Sequence, residues 1–215
     1  MPLSFDRRGY FFNKIAPNYD SFLDLLTLGA YAKFLKKAIR ILAPMRGERV
    51  LDLCSGTGRV AAWISELVGE EGIVVGMDKA EGMIDAAKNQ YGQSKNLVFV
   101  KQDVTRAWSY RNPFDGIFLS FSLHELPEYG YRKVLEQSYL ALSEKGRIVI
   151  ADFNPQITGR KRTLLQTFFN IFERSNLGFL EFRQREVLKE VGFQKIRSAP
   201  ALGGILQITL AYKVA

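Results

Sequence analysis

Val50-Leu51-Asp52-Leu53-Cys54-Ser55-Gly56-Thr57-Gly58 joins an apolar run to a glycine-rich turn. The run reads as a buried parallel strand. A helical pattern follows the turn at once in Val60-Ala61-Ala62-Trp63-Ile64. A strand, a glycine-rich turn and a helix present main-chain N–H groups to a ligand at a helix N-terminus. Gly56 and Gly58 remove the side chains that would block its approach.

Outward from this unit the chain alternates strand and helix patterns. Arg49–Leu53, Ile73–Met77, Leu97–Lys101, Gly116–Ser120 and Arg147–Ala151 are short, apolar and rich in β-branched residues, so each predicts a strand. Helical patterns fall near Val60–Val68, Ala80–Gln90, Tyr131–Leu142 and Leu164–Glu173. Such alternation predicts a doubly wound, mostly parallel α/β sheet with helices on both faces. The end of the chain breaks the rhythm. Gln194–Ser198 and Ile205–Tyr212 both predict strands, and the gap Ala199-Pro200-Ala201-Leu202-Gly203-Gly204 is too short for a helical crossover. These two strands are therefore expected to be antiparallel, which gives a Rossmann-like seven-stranded sheet with an antiparallel closing strand.

A helical preface, roughly Tyr10–Leu42, precedes the first strand. Phe34, Leu35, Ala38, Ile39 and Leu42 form its apolar stripe, with Lys33, Lys36, Lys37 and Arg40 on the other side. A basic amphipathic helix lies on a membrane surface or packs its stripe on its own domain. The expected organisation is a single domain: a helical lid over residues 1–45, a cofactor-binding core over 46–152, a substrate-side insert over 153–192 and a closing strand pair over 193–215.

The 215 residues suffice for one α/β domain with a sizeable core. No run approaches the roughly 20 apolar residues of a membrane span, and MPLSFDRRGYFF lacks a signal-peptide pattern. The expected compartment is the cytoplasm. One Cys and one His exclude an internal disulfide framework and argue against a structural zinc site. The net charge of +8 favours anionic partners such as nucleic acid or acidic lipid, although solvated surface Lys and Arg produce the same total.

The loop lacks the G-x-G-x-x-G pattern of dinucleotide binding: Cys54 and Ala61 stand where the first and third glycines belong. Asp52, inside the strand, would repel a pyrophosphate. It suits a cationic ligand, or it holds the loop's backbone N–H groups. The second strand ends in Asp78, where an acid can take both hydroxyls of a ribose, and the third is followed by Gln102-Asp103, within reach of an adenine amino group. Taken singly, Asp78 reads as a helix cap and Asp103 as a turn residue. Together, in order at successive strand ends, they describe an adenosine with a positive, phosphate-free tail. S-Adenosylmethionine is that molecule, and S-adenosylhomocysteine is its product.

At this point the chain resembles the class I S-adenosylmethionine-dependent methyltransferases, and more narrowly the ubiquinone/menaquinone biosynthesis C-methyltransferase family. The likeness rests on FFNKIAPNYDSFLDLLTLG (11–29), VLDLCSGTG (50–58), LVGEEGIVVGMDKAEGMIDAAK (67–88), FDGIFLSFSL (114–123) and GGILQITLAYK (203–213). It implies cofactor contact at Thr57, Asp78, Asp103, Val104 and Ser120, to which the loop reading adds Asp52, Gly56 and Gly58. The chain departs from the family at His124-Glu125, where the family carries Arg-Asn after the fourth strand, and in a shorter segment between the fifth strand and Phe193.

Methyl transfer from a sulfonium is an in-line displacement in which the protein mainly positions two reactants and excludes water. The segments 11–28 and 157–182 are the candidate lids. Leu164, Leu165, Phe168, Phe169, Ile171 and Phe172 either line a hydrophobic acceptor pocket or pack in the core. A phenolic or enolic acceptor must lose a proton. His124 is the one residue whose type makes it a base at neutral pH, with Glu125 the alternative; His124 could also simply cap its loop. Tyr19 is the candidate to close over the methionine end of the cofactor. The expected activity is methyl transfer to a small, largely apolar acceptor such as a quinone precursor or related lipid. Phospholipid or RNA methylation, and a non-catalytic binding module, are the competing readings. Peripheral contact with an anionic membrane is a further expectation.

Overall fold

The computed structural model describes residues 19–108, 110–168 and 183–214. At its centre β1 (Arg49–Leu53) pairs in parallel with β2 (Ile73–Asp78) on one side and β4 (Phe114–Ser120) on the other. β3 (Leu97–Lys101) extends the sheet beyond β2, and β5 (Leu142–Phe153) extends it beyond β4, both in parallel. β7 (Leu206–Tyr212) then runs antiparallel to β5, and β6 (Gln194–Ala201) antiparallel to β7. Among the described residues the sheet has seven strands in the order β3-β2-β1-β4-β5-β7-β6. The expected mostly parallel sheet with an antiparallel close is the observed one.

The central strands β1, β2, β4 and β5 are buried on both sides, so alternate residues serve different cores. Leu51, Leu53, Met77, Ile117 and Leu119 face one cluster, with Val134 and Leu135 of α5 (Glu128–Ala141) and Val187 and Leu188 of α7 (Gln184–Val191). Val50, Val74, Phe118 and Val149 face the other, with α2 (Ala30–Leu42), α3 (Arg59–Val68) and α4 (Glu81–Tyr91). The apolar stripe of α2, Phe34 to Leu42, lies in this second core, so the stripe packs on its own domain. Its stripe covers the sheet, and the basic side alone faces solvent. No helix of the described residues is long and apolar enough to cross a membrane.

Several boundaries differ from the sequence expectations, three of them more than slightly. Within the described residues the preface is two helices, α1 (Tyr19–Leu26) and α2, because Leu28 (φ 50°) and Gly29 (φ 76°) turn the chain between them. β5 begins at Leu142 rather than Arg147, since Leu142 already pairs with Phe114 before a register irregularity. The helix expected near Leu164–Glu173 is α6 (Gly159–Phe168). The side chains of Leu164, Leu165 and Phe168, and residues Phe169, Ile171 and Phe172, lie outside the described residues. So do residues 10–18 of the preface and residues 169–182 of the second candidate lid.

One buried ion pair ties α2 to the middle of the sheet. Arg147 of β5 binds both carboxylate oxygens of Glu48 at 3.0 and 2.7 Å. The same guanidinium donates to the carbonyls of Leu42 and Ala43 at the end of α2 and of Asp115 in β4. A planar fork with five N–H groups is suited to several acceptors at once. It thereby satisfies helix-end carbonyls that have no partner within α2.

Candidate active site

The reversal of strand order between β1 and β4 opens a crevice at their carboxyl ends, the place where open α/β sheets bind ligands. A cavity lies there. Its walls are the β1 loop (Cys54 to Thr57), the β2 end (Asp78 to Ala80), the β3 end (Gln102 to Thr105), the β4 end (Ser120 to Ser122) and Glu125, with Asp20 and Tyr31 from the two leading helices. The chain leaves β1 and β4 through left-handed turns at non-glycine residues, Cys54 (φ 56°) and Phe121 (φ 45°). Bulky side chains rarely adopt this conformation. Both residues line the cavity.

The glycine loop is shaped by tertiary contacts. Gly58 adopts φ 81° as the N-cap of α3, and a Cβ there would meet the Phe99 ring at 2.5 Å. Gly56 adopts φ 53°, and a Cβ there would meet nothing within 4 Å. The loop's N–H groups are held from β2: Ser55 N–H donates to the Met77 carbonyl, and Gly56 N–H donates to Asp78 Oδ2 at 2.9 Å. Asp78 Oδ1 accepts the N–H of Ala80 at 2.9 Å. The loop-holding role considered for Asp52 therefore falls in part to Asp78. Asp78 also sits before the N-cap of α4, which is Ala80.

Asp52 is 1% exposed. Its carboxylate accepts the backbone N–H of Ala61, yet Oδ2 has no hydrogen-bond partner, and neither has the buried Ser55 Oγ among the described residues. Burial, reinforced by the Asp78 charge, raises the Asp52 carboxyl well above its ordinary value. Burial also raises Asp78, against the lowering effect of its backbone hydrogen bonds. The Cys54 thiol is likewise pushed up by burial, so it is not a thiolate nucleophile. Buried acids close together resist ionising, and a cation placed between them favours their charged forms.

The remaining expected site residues fall as follows. Thr57 lines the cavity, and its hydroxyl donates to Asp20 Oδ2 of α1. Asp103 lines the cavity while its Oδ1 accepts the N–H and hydroxyl of Thr105, so the turn role and the cavity role coincide. Val104 and Ser120 are on the wall. Tyr19 opens α1, and its side chain lies outside the described residues. Glu125 reaches the cavity wall, whereas His124 is 3% exposed and is not among the residues lining it. The His124 Nδ1 lies 2.7 Å from Asp152 Oδ1, and its ring stands edge-on to Phe153.

Sequence reasoning missed Asp20, Arg59, Phe121, Ser122 and Asp152. Arg59 lines the cavity and pairs with Asp20 at 3.4 Å and Asp24 at 2.9 Å. Asp152 did carry a signal: like Asp52 it interrupts an apolar strand, Ile148-Val149-Ile150-Ala151-Asp152-Phe153. The contacts of Asp20 carry no such signal, because they arise only when α1 folds over the loop.

The crevice, the glycine loop and the ordered acids are those of a class I S-adenosylmethionine-dependent methyltransferase. The cofactor suits the residues present: an unpaired buried carboxylate oxygen for positive charge and open space at Gly56. The fold agrees. A S-adenosylmethionine-dependent methyltransferase from Aquifex aeolicus superposes with a TM-score of 0.64 at 23% identity, covering 84% of this chain and 89% of its own. A TehB-like methyltransferase from Corynebacterium glutamicum does so at 0.64 and 22%, covering 92% and 97%.

The chain belongs to the ubiE/COQ5 methyltransferase family, whose model matches residues 5–179. Among curated relatives, a demethylmenaquinone methyltransferase from Listeria monocytogenes is 26% identical over 223 residues, covering 94% of this chain and 93% of the relative. A 2-phytyl-1,4-naphtoquinone methyltransferase from Nostoc punctiforme is 25% identical, covering 94% and 96%. The chain is thus an enzyme that uses S-adenosylmethionine to methylate an acceptor.

Proposed function

We propose that the acceptor is a hydroxylated, largely apolar ring of the quinol type, methylated on carbon, and that the cofactor lies in the β1–β4 crevice. The carrying observation is the composition of the crevice: acids at the β1, β2 and β3 ends, and the aromatic rings of Phe121 at the β4 end and Tyr31 of α2. The printed activities of the curated relatives support the acceptor class.

In this reading Asp78 takes the ribose hydroxyls, Asp103 and the Val104 backbone meet the adenine, and Gly56, Thr57 and Gly58 shape the loop against the cofactor. Asp52 and Ser120 face the methionine end, and Tyr19 closes over it. When bound, the cofactor supplies an electrophilic methyl group. The protein's part is placement and exclusion of water. Orientation of two reactants is worth up to roughly 7–11 kcal/mol of barrier. Residues 1–45 and 153–192 act as lid and acceptor cover. The acceptor side is aromatic: the Phe121 ring lies 5.2 Å from Tyr31, 5.6 Å from Phe34 and 5.7 Å from Phe153. Such rings favour a flat, apolar partner. The exposed Lys33, Lys37 and Arg40 of α2 support peripheral contact with an anionic membrane.

The test is transfer of labelled methyl from S-adenosylmethionine to a reduced, short-chain demethyl naphthoquinol, with S-adenosylhomocysteine binding measured by calorimetry. A ring-methylated, labelled product is expected. S-Adenosylhomocysteine binding without product refutes the acceptor; binding unchanged by Asp78→Ala refutes the site.

A further inference from the structure

Asp152 is 2% exposed and collects its neighbours around one carboxylate. Oδ2 accepts the backbone N–H of Leu123 at 3.0 Å and of His124 at 3.4 Å. Oδ1 lies 2.7 Å from His124 Nδ1 and accepts the N–H of Phe153 at 2.8 Å. A carboxylate that binds two successive main-chain N–H groups and the ring of the second fixes a turn from below. That turn is the 3₁₀ segment Leu123–Glu125, which follows the left-handed residue Phe121. Leu123 and His124 point inward, both buried, and Glu125 emerges half-buried on the cavity wall beside Ser122 and Phe121. The arrangement places the imidazole behind the wall and the carboxylate in it.

We infer that Glu125 is the group that takes the acceptor's hydroxyl proton, and that Asp152 and His124 are positioning residues that hold its turn in place. The inference rests on the methyl-acceptor reading above. In the step, the acceptor O–H bond breaks and its proton passes to a Glu125 carboxylate oxygen. The electron pair stays on the acceptor, which is thereby made nucleophilic at the ring carbon; once that carbon is methylated, its C–H proton moves to the acceptor oxygen and restores the hydroxyl. Glu125 returns the proton to solvent after the product leaves. Such a base contributes about 10²–10⁴-fold to rate. A proton taken by the wall carboxylate needs no movement of the buried imidazole, whose place is already set by Asp152, Phe153 and the turn.

The test uses the full chain and the reduced demethyl naphthoquinol as probe acceptor. E125Q should lower kcat at least 100-fold, with KM and the S-adenosylhomocysteine Kd within threefold of wild type, and E125D should recover part of the loss. D152N should lower kcat about tenfold at unchanged Kd, and raise hydrogen exchange at the amides of Leu123 and His124. E125Q at the wild-type rate overturns the inference, and a large loss confined to His124→Asn returns the base to the imidazole. Should the wild type bind S-adenosylhomocysteine yet leave the quinol unmethylated, the acceptor reading fails by itself. The same variants are then compared by labelled-methyl incorporation into a cell extract. Equal incorporation by E125Q and wild type there overturns the inference, and a loss specific to E125Q supports it.

Discussion

Alanine at position 58 should cost much more stability than alanine at position 56, although both glycines lie in one turn. At Gly56 (φ 53°) the new Cβ meets nothing within 4 Å, so the cost is the left-handed backbone alone, about 1–2 kcal/mol. At Gly58 (φ 81°) the same backbone cost applies, and the Cβ falls 2.5 and 2.7 Å from Phe99 Cζ and Cε1 and 3.0 Å from Ala87 Cβ. Carbon atoms prefer separations of roughly 3.5–4.0 Å. The same edge of the Phe99 ring also packs on Gly76, where a Cβ would meet Cδ1 at 2.7 Å. Overpacking of this kind adds about 1–3 kcal/mol. For a chain of this size each kcal/mol shifts Tm by about 2–4 °C. The expected Tm losses are therefore roughly 2–8 °C for Gly56→Ala and roughly 4–20 °C for Gly58→Ala. Calorimetric unfolding, with S-adenosylhomocysteine titrations of each variant, checks both stability and site. Gly56→Ala should lose at least about tenfold in affinity, or 1.4 kcal/mol, because its methyl enters the open space of the cavity. Adding Phe99→Leu to Gly58→Ala should restore about 1–2 kcal/mol as coupling between the two positions. A Gly58→Ala protein as stable as Gly56→Ala, or no coupling with Phe99→Leu, would refute the reasoning.

Three further outcomes follow from the geometry. Burial and Asp78 raise the Asp52 carboxyl, so the folded state holds that proton more tightly than the unfolded chain does. The resulting stabilisation is complete below the ordinary carboxylate range and is lost as pH rises through the raised value. Asp52→Asn should therefore melt higher than wild type without cofactor at pH 8, and bind S-adenosylmethionine more weakly; a lower Tm at that pH contradicts it. Arg147→Met strands the Glu48 carboxylate and the carbonyls of Leu42 and Ala43, and should cost about 3–5 kcal/mol in urea unfolding; a loss under about 1 kcal/mol would place it with exposed pairs. Thr57→Val removes the hydroxyl that Asp20 accepts, and should raise hydrogen exchange in α1 more than in α3, which equal changes in both helices would disprove.

Much of the cofactor side was legible in the sequence because its parts are local. A strand, a loop and a helix adjoin one another between Arg49 and Val68, and the acid at each strand end sits at a position set by its own strand. The antiparallel close was legible for a similar reason, since the short gap after Ser198 leaves no room for a crossover. The fate of α2 was not: a basic amphipathic helix has the same pattern on a membrane or on a sheet. Which of the two candidate bases reaches the crevice was not legible either. His124 and Glu125 are adjacent in sequence, and residue type favoured the imidazole. Asp152, twenty-eight positions away, binds the turn that buries one side chain and turns the other to the crevice.

By itself the sequence determined the order of strands and helices, the parallel sheet with its reversed end, and the identity of an adenosine-sulfonium site. These depend on periodicity, turn residues and charge, which act over a few neighbouring positions. Only the tertiary structure decided which glycine is sterically required, which acid holds the loop, and which of two adjacent residues reaches the cavity. Those outcomes depend on contacts between distant segments: Phe99 against Gly58, Asp78 on the Gly56 N–H, and Asp152 beneath the Leu123–Glu125 turn. Such contacts come into being only when the sheet brings the strand ends together.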